Sequence, residues 1–186
     1  MVIFPTSSEE FLSGQIFLID KPFGWTSFDL VKKMKNLIRT KYNLKKIKVG
    51  HAGTLDPLAT GLLIVCTGKF TKRISAIQAQ SKVYSGEITL GSTTPSYDLE
   101  TEIDAQYETS HITTQLIQDK TLDFKGEINQ KPPIFSALKK NGERLYEKAR
   151  RGESIELETR KINVHSFKIT AVAMPKVNFE IMCSKG

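Results

Sequence analysis

The chain has little cysteine, little histidine and no long apolar run. Only two cysteines and three histidines occur among its 186 residues. The longest clean apolar stretch, residues 62–66, falls far short of the ~20 residues that a membrane-spanning helix requires. Residues 1–10 hold no basic stretch followed by an apolar core, so no secretory signal is legible. Cys66 and Cys183 sit far apart inside apolar patterns, which reads as reduced core thiols in a cytoplasmic protein. Those two cysteines and His51, His111 and His165 lack the spacing of a metal-ligand set. There is no G-x-S-x-G nucleophile elbow and no dinucleotide fingerprint. The stretch from Gly61 to Gly68-Lys69 superficially looks like a phosphate-binding loop. Its glycines are separated by too many residues, however, and Phe70 stands where Ser or Thr belongs.

What is present is an ordinary globular composition, 39% hydrophobic and 25% charged, with a net charge of +7. The length suits one domain or a little more. The charge is unevenly placed. Residues 31–50 carry Lys32, Lys33, Lys35, Arg39, Lys41, Lys45, Lys46 and Lys48 and no acid. A second basic stretch holds Lys131, Lys139, Lys140, Arg144, Lys148, Arg150 and Arg151 against Glu143 and Glu147. Residues 96–110 are the reverse, with Asp98, Glu100, Glu102, Asp104 and Glu108 and no base. Such polarity suits a surface that holds a phosphate backbone. Charge alone does not separate that reading from a solvated lysine-rich face.

Residues 15–20 read as a buried strand closed by Lys21-Pro22 and Gly24. Thr26 is placed to cap a helix, with Asp29 near the positive end of its dipole. Phe28, Val31, Met34, Leu37 and Ile38 recur at helical spacing along it. Residues 62–66 read as a buried strand, 71–80 as helix, and 82–91 as a half-buried alternating strand. Further on come a helix over 113–123 and a strand near 124–129. Residues 134–138 are expected to be extended, with a turn at Asn141-Gly142 and a short basic helix over 143–151. Two last strands lie around 161–170 and 177–183. There is no regular βαβ rhythm, so the fold class is α+β: a mixed, mainly antiparallel sheet flanked by helices.

Residues 49–63 read V-G-H-A-G-T-L-D-P-L-A-T-G-L-L. Glycines permit close backbone approach, and a proline fixes the exit of a turn. A loop that displays Asp56 and His51 from a rigid strand is a common way to present catalytic groups. Asp-Pro is equally a common turn, and His51 could be a satisfied loop histidine.

Residues 50–63, G-H-A-G-T-L-D-P-L-A-T-G-L-L, resemble the central motif of the TruB-type tRNA pseudouridine-55 synthases. Further matches follow in family order. They are G-x-x-x-x-x-D-K-P with W-T-S (14–27), T-K (71–72), K-V-Y (82–84), P-P-I-F-S-A-L-K with N-G-x-x-L-Y-E-x-A-R (132–150), and C-S-K-G (183–186). L-D-P-L-A-T-G, rather than L-D-P-K-V-S-G, is the pattern of the bacterial stand-alone enzymes, not of the guide-RNA-dependent dyskerin/Cbf-type relatives.

The resemblance implies an isomerase that converts uridine 55 in the T-loop of tRNA to pseudouridine without metal, cofactor or energy source. It implies a monomer with no obligate protein partner and no membrane association. The base would be flipped out at a cost of roughly a few kcal/mol, with Asp56 as nucleophile toward the base or the ribose C1′. An Asp with its usual pKa of about 3.9 is already ionised at neutral pH. His51 would fill the space the base leaves, and Tyr84 would stack on the uracil, worth on the order of 1–3 kcal/mol. Lys21 and Pro22 would shape the pocket floor. Lys32, Lys33, Lys139, Arg144 and Arg150 would hold RNA phosphates and position rather than specify.

By the same resemblance, residues 1–13 are an N-terminal extension. Residues 14–186 are a catalytic domain incomplete at its C-terminal end, and a C-terminal RNA-binding domain is absent. The family strand continues into T-Y-I-R and a helix, which supply an aromatic wall and an Arg facing the catalytic Asp. A carboxylate left without that partner is costly if buried, so weak tRNA binding and poor turnover are expected of these 186 residues. Two alternatives stand beside this reading: a non-catalytic RNA-binding remnant, and a pseudouridine synthase acting on another RNA.

Overall fold

Thr26 begins the longest helix by a reciprocal cap. Its hydroxyl accepts from the Asp29 N–H at 3.0 Å, and the Asp29 carboxylate accepts from the Thr26 N–H at 3.1 Å, closing two donors that a helix start leaves open. In the computed structural model this helix is α2 (Ser27–Lys41), following a shorter one, α1 (Ser8–Ser13). The structure describes residues 5–135, 139–140, 142–145, 148, 151 and 157–184. The chain divides into two compact units, Met1–Ala79 and Gln80–Gly186.

In the first unit, β1 (Ile16–Lys21), β2 (Val49–His51) and β3 (Gly61–Thr67) form a three-stranded antiparallel sheet in the order β1-β3-β2. One face of it packs on α2. Leu30 and Val31 of the helix meet Leu63 and Val65 of β3, with Phe17, Ile19, Met34, Val49 and Leu55 around them. A second cluster joins Phe11 of α1 to Ile38 and Ile47, and the Phe11 ring stacks on Phe17 at 5.9 Å. Helix α1 is thus part of the core of this unit, started by a Ser7–Glu10 capping box. Gly68 follows β3 with φ +52°, and a Cβ there would stand 2.1 Å from the Leu12 carbonyl oxygen, so only glycine fits. The segment expected to be one helix over 71–80 is a 3₁₀ turn, Gly68–Arg73, followed by α3 (Ile74–Gln78).

In the second unit, β4 (Lys82–Thr89), β7 (Gly126–Gln130), β10 (Arg160–Ala173) and β11 (Lys176–Cys183) form an antiparallel sheet in the order β4-β11-β10-β7. Helix α4 (Thr114–Leu122) packs on β10. Ile162, Val164 and Cys183 make the core, and the Phe167 ring meets Phe124 and Phe179 edge-on. Two small ladders complete the unit: β5 (Ser92–Thr93) with β6 (Ala105–Gln106), and β8 (Lys139–Lys140) with β9 (Glu143–Arg144). The basic helix expected to begin at Glu143 is corrected at its start. Lys140 pairs with Glu143 and Lys139 with Arg144, so residues 143–144 are held in a strand by this antiparallel pairing. Every strand pairing among the described residues is antiparallel, and the α+β class holds. No helix of the described residues is long and apolar enough to cross a membrane.

Candidate active site

The motif at 49–63 spans a strand, a loop and a second strand. Val49, Gly50 and His51 pair with Thr67, Cys66 and Val65, so His51 ends a strand rather than lying in the loop proper. Its Nδ1 shares a hydrogen bond with the Gly53 carbonyl at 2.5 Å, which orients the ring. Ala52 continues the ladder by donating to the Ile64 carbonyl.

The loop that follows is held from the segment between β1 and α2. Ser27 is 2% exposed, and its hydroxyl donates to the Leu55 carbonyl at 3.1 Å while accepting from the Leu55 N–H at 2.9 Å. Gly24, at φ +80°, donates to the Pro57 carbonyl at 2.8 Å, a conformation that favours glycine. The Asp20 carboxylate accepts from Gly61 N–H at 3.1 Å where the loop re-enters the sheet. Asp56 therefore lies between two residues fixed by hydrogen bonds, and its own carbonyl accepts from Ala59 in a turn. Exposure alternates through the loop, with Leu55 and Pro57 turned in and Asp56 turned out. The carboxylate is accordingly exposed, not buried.

Lys21, the last residue of β1, has no exposed surface. Its ammonium donates to the Trp25 carbonyl at 2.6 Å and the Pro22 carbonyl at 3.0 Å. Burial pushes its pKa below the usual lysine value, and the negative charge of Asp56 partly opposes that shift. Lys21 and Asp56 are thus brought within electrostatic reach of each other. The fold gathers Lys21, His51 and Asp56 in the first unit.

Tyr84 lies in the second unit, half-buried in β4 opposite Ile181 and packed on the Ile162, Val164 and Cys183 cluster. Lys139 and Arg144 are placed as paired residues of the β8–β9 ladder. Arg150 lies outside the described residues. Among the described residues, no three His, Cys, Asp or Glu side chains converge as a metal site.

Lys32 and Lys33 are exposed on α2 and line a shallow depression with Gly24, Trp25, Asp29 and Asn36. A larger groove of about 680 Å³ shares none of these residues. Lys35 and Arg39 of α2, Lys45, Lys46 and Lys48 of the next segment, and Lys69 and Lys72 of the 3₁₀ turn all line it, with no acid. Sequence reasoning does not single out Lys69 and Lys72 as ligands, nor Ser27, Asp20 and Gly24 as supports of the loop. The G-K-F-T-K-R run (68–73) is a usable signal for the first pair, since spacing of three on a 3₁₀ turn puts both lysines on one side.

A family model described as the TruB family pseudouridylate synthase N-terminal domain matches residues 39–186. A Flavobacterium johnsoniae protein named tRNA pseudouridine synthase B is 60% identical over 179 residues, which cover 96% of this chain and 78% of that protein. One of the same name from Parabacteroides distasonis is 50% identical, covering 95% of this chain and 75% of that protein. Among solved structures, a chain of a Cbf5-Nop10-Gar1 complex matches with a TM-score of 0.65 at 25% identity. That match covers 95% of this chain and 41% of the solved one, so this chain spans about two fifths of its length. Sequence and fold agree, and the chain belongs to the TruB family of pseudouridylate synthases.

Proposed function

We propose that the chain isomerises uridine 55 in the T-loop of tRNA to pseudouridine, with Asp56 as nucleophile. The observation that carries this reading is the loop itself. One outward carboxylate is pinned on both sides by backbone hydrogen bonds and stands near a buried lysine. Relatives of high identity are named tRNA pseudouridine synthase B, which supports tRNA as the substrate.

The reaction breaks the N1–C1′ bond, turns the uracil and joins C5 to C1′. The C5 proton is lost and N1 gains one, so the product is an isomer and no redox partner is needed. A carboxylate added to the base or to C1′ holds one fragment while the other turns. Preorganisation matters here, because a nucleophile on a fixed backbone loses little entropy on reaching its target. His51 fills the space that the flipped base leaves, and Tyr84 stacks on the uracil.

Lys32 and Lys33, the groove from Lys35 to Lys72, and Lys139, Arg144 and Arg150 hold the RNA backbone by charge. Residues 14–186 act as the catalytic domain, with α1 packed into the core of its first unit through Phe11, and the protein works as a monomer without an obligate protein partner.

The test is to incubate the chain with unmodified tRNA and map pseudouridine by chemical modification and primer extension. Product at the T-loop uridine, formed slowly and absent with Asp56→Asn, is the expected result. Product at another uridine would change the substrate assignment. Binding of tRNA with no product anywhere would replace the enzyme reading with an RNA-binding module.

A further inference from the structure

We infer that Ser27 is a positioning residue for the reaction, fixing the backbone immediately before Asp56. The inference rests on the functional reading given above. A serine at the first turn of a helix would ordinarily serve the helix start. Here that task is already taken: Thr26 caps α2 and closes a reciprocal box with Asp29. The Ser27 hydroxyl is turned elsewhere and bonds both main-chain groups of Leu55, 28 residues away.

The pairing is specific in kind. One oxygen must donate to a carbonyl and accept from an N–H on the same residue, which only a hydroxyl can do from a short side chain. The site is 2% exposed, so no solvent stands ready to replace either bond. Leu55 is also held by its side chain, which packs against the Leu30, Val31, Leu63 and Val65 cluster. Leu55 is therefore fixed at three points, and Asp56 is the next residue along. Loss of the hydroxyl would free the peptide that aims the carboxylate, and misplacement by about 1 Å can lower a rate by roughly 10²-fold.

The test compares Ser27→Ala, Ser27→Thr and Thr26→Ala with the unsubstituted chain. Thr26→Ala is the control, because it weakens the same helix start without touching Leu55. Two quantities are read: the exchange rate of the Leu55 amide proton, and the single-turnover rate of pseudouridine formation with enzyme in excess over tRNA. While folded enzyme stays in saturating excess over tRNA, partial unfolding changes neither the amplitude nor the rate constant.

Ser27→Ala is expected to speed Leu55 exchange and slow the single turnover by about tenfold to a hundredfold, with tRNA affinity little changed. Ser27→Thr, which keeps the hydroxyl, is expected to recover most of the rate. An unchanged Leu55 exchange in Ser27→Ala would overturn the inference, as would an equal loss of rate in Thr26→Ala. Faster exchange with an unchanged rate would make Ser27 merely structural and overturn it too. Failure of the unsubstituted chain to form pseudouridine would sink the functional reading itself, and the inference with it.

Discussion

Asp56 faces outward because its neighbours are held inward, Leu55 by Ser27 and Pro57 by Gly24. Lys21, whose charge Asp56 influences, is fully buried and hydrogen-bonded to two carbonyls. Burial makes the folded chain bind the Lys21 proton less tightly than the unfolded chain does, despite the opposing charge of Asp56. Stability therefore rises with pH between the lowered folded value and the ordinary 10.5. Urea midpoints measured against pH should show the native chain gaining on Lys21→Met across that alkaline window. A gap that does not change with pH would contradict the charged, buried state of Lys21. Cys66 makes a second prediction at this scale. It is fully buried, and burial pushes its thiol pKa up, against a smaller opposing effect of Arg73. Its thiol should react with a disulfide reagent slowly in the folded chain and quickly in denaturant. Fast native reaction would show that the β3 core opens.

Elements with a strong period are legible in the amino-acid sequence alone. The helical spacing of Phe28, Val31, Met34, Leu37 and Ile38 announces α2 and the apolar run at 62–66 announces β3, although Phe28, Leu37 and Leu62 are exposed and Leu30 of α2 is buried in the core instead. Helix α1 is not legible, because six residues with one buried side chain, Phe11, carry no period. Strand β2 escapes for a different reason: Val-Gly-His reads as loop, and its pairing with Val65–Thr67 is set by a distant strand. The Asp56 motif is visible as chemistry, but its support is not. The bonds from Ser27, Gly24 and Asp20 each cross a sequence gap that no local pattern encodes. The cap of α2 is legible and gives its own test. Removing the side-chain partner with Thr26→Ala should cost about 1 kcal/mol in a urea titration. The Asp29 carboxyl is held below its usual value by the Thr26 hydroxyl and N–H. Its contribution is fully present above pH 3.8 and is lost as the pH falls through the lowered value. Asp29→Asn should remove that part of the acid dependence.

Across the whole molecule, the +7 charge is gathered into patches. The groove lined by seven basic residues and no acid is assembled from three separate segments, so its extent cannot be read from the basic run at 31–50 alone. If RNA phosphates lie along it, tRNA affinity should fall steeply with salt. Removing one groove lysine, as in Lys46→Ala, should then lower the slope of log affinity against log salt by roughly one. An unchanged slope would leave the groove a solvated face. The proposed role of the Asp56 carboxylate in base isomerisation is reached most directly by one measurement. tRNA labelled with tritium at uracil C5 should release the label when incubated with the native chain, because C5 must lose its proton to bond with C1′. Asp56→Asn should bind the same tRNA but release label more slowly by on the order of 10³-fold or more. Equal release from both proteins would contradict the account.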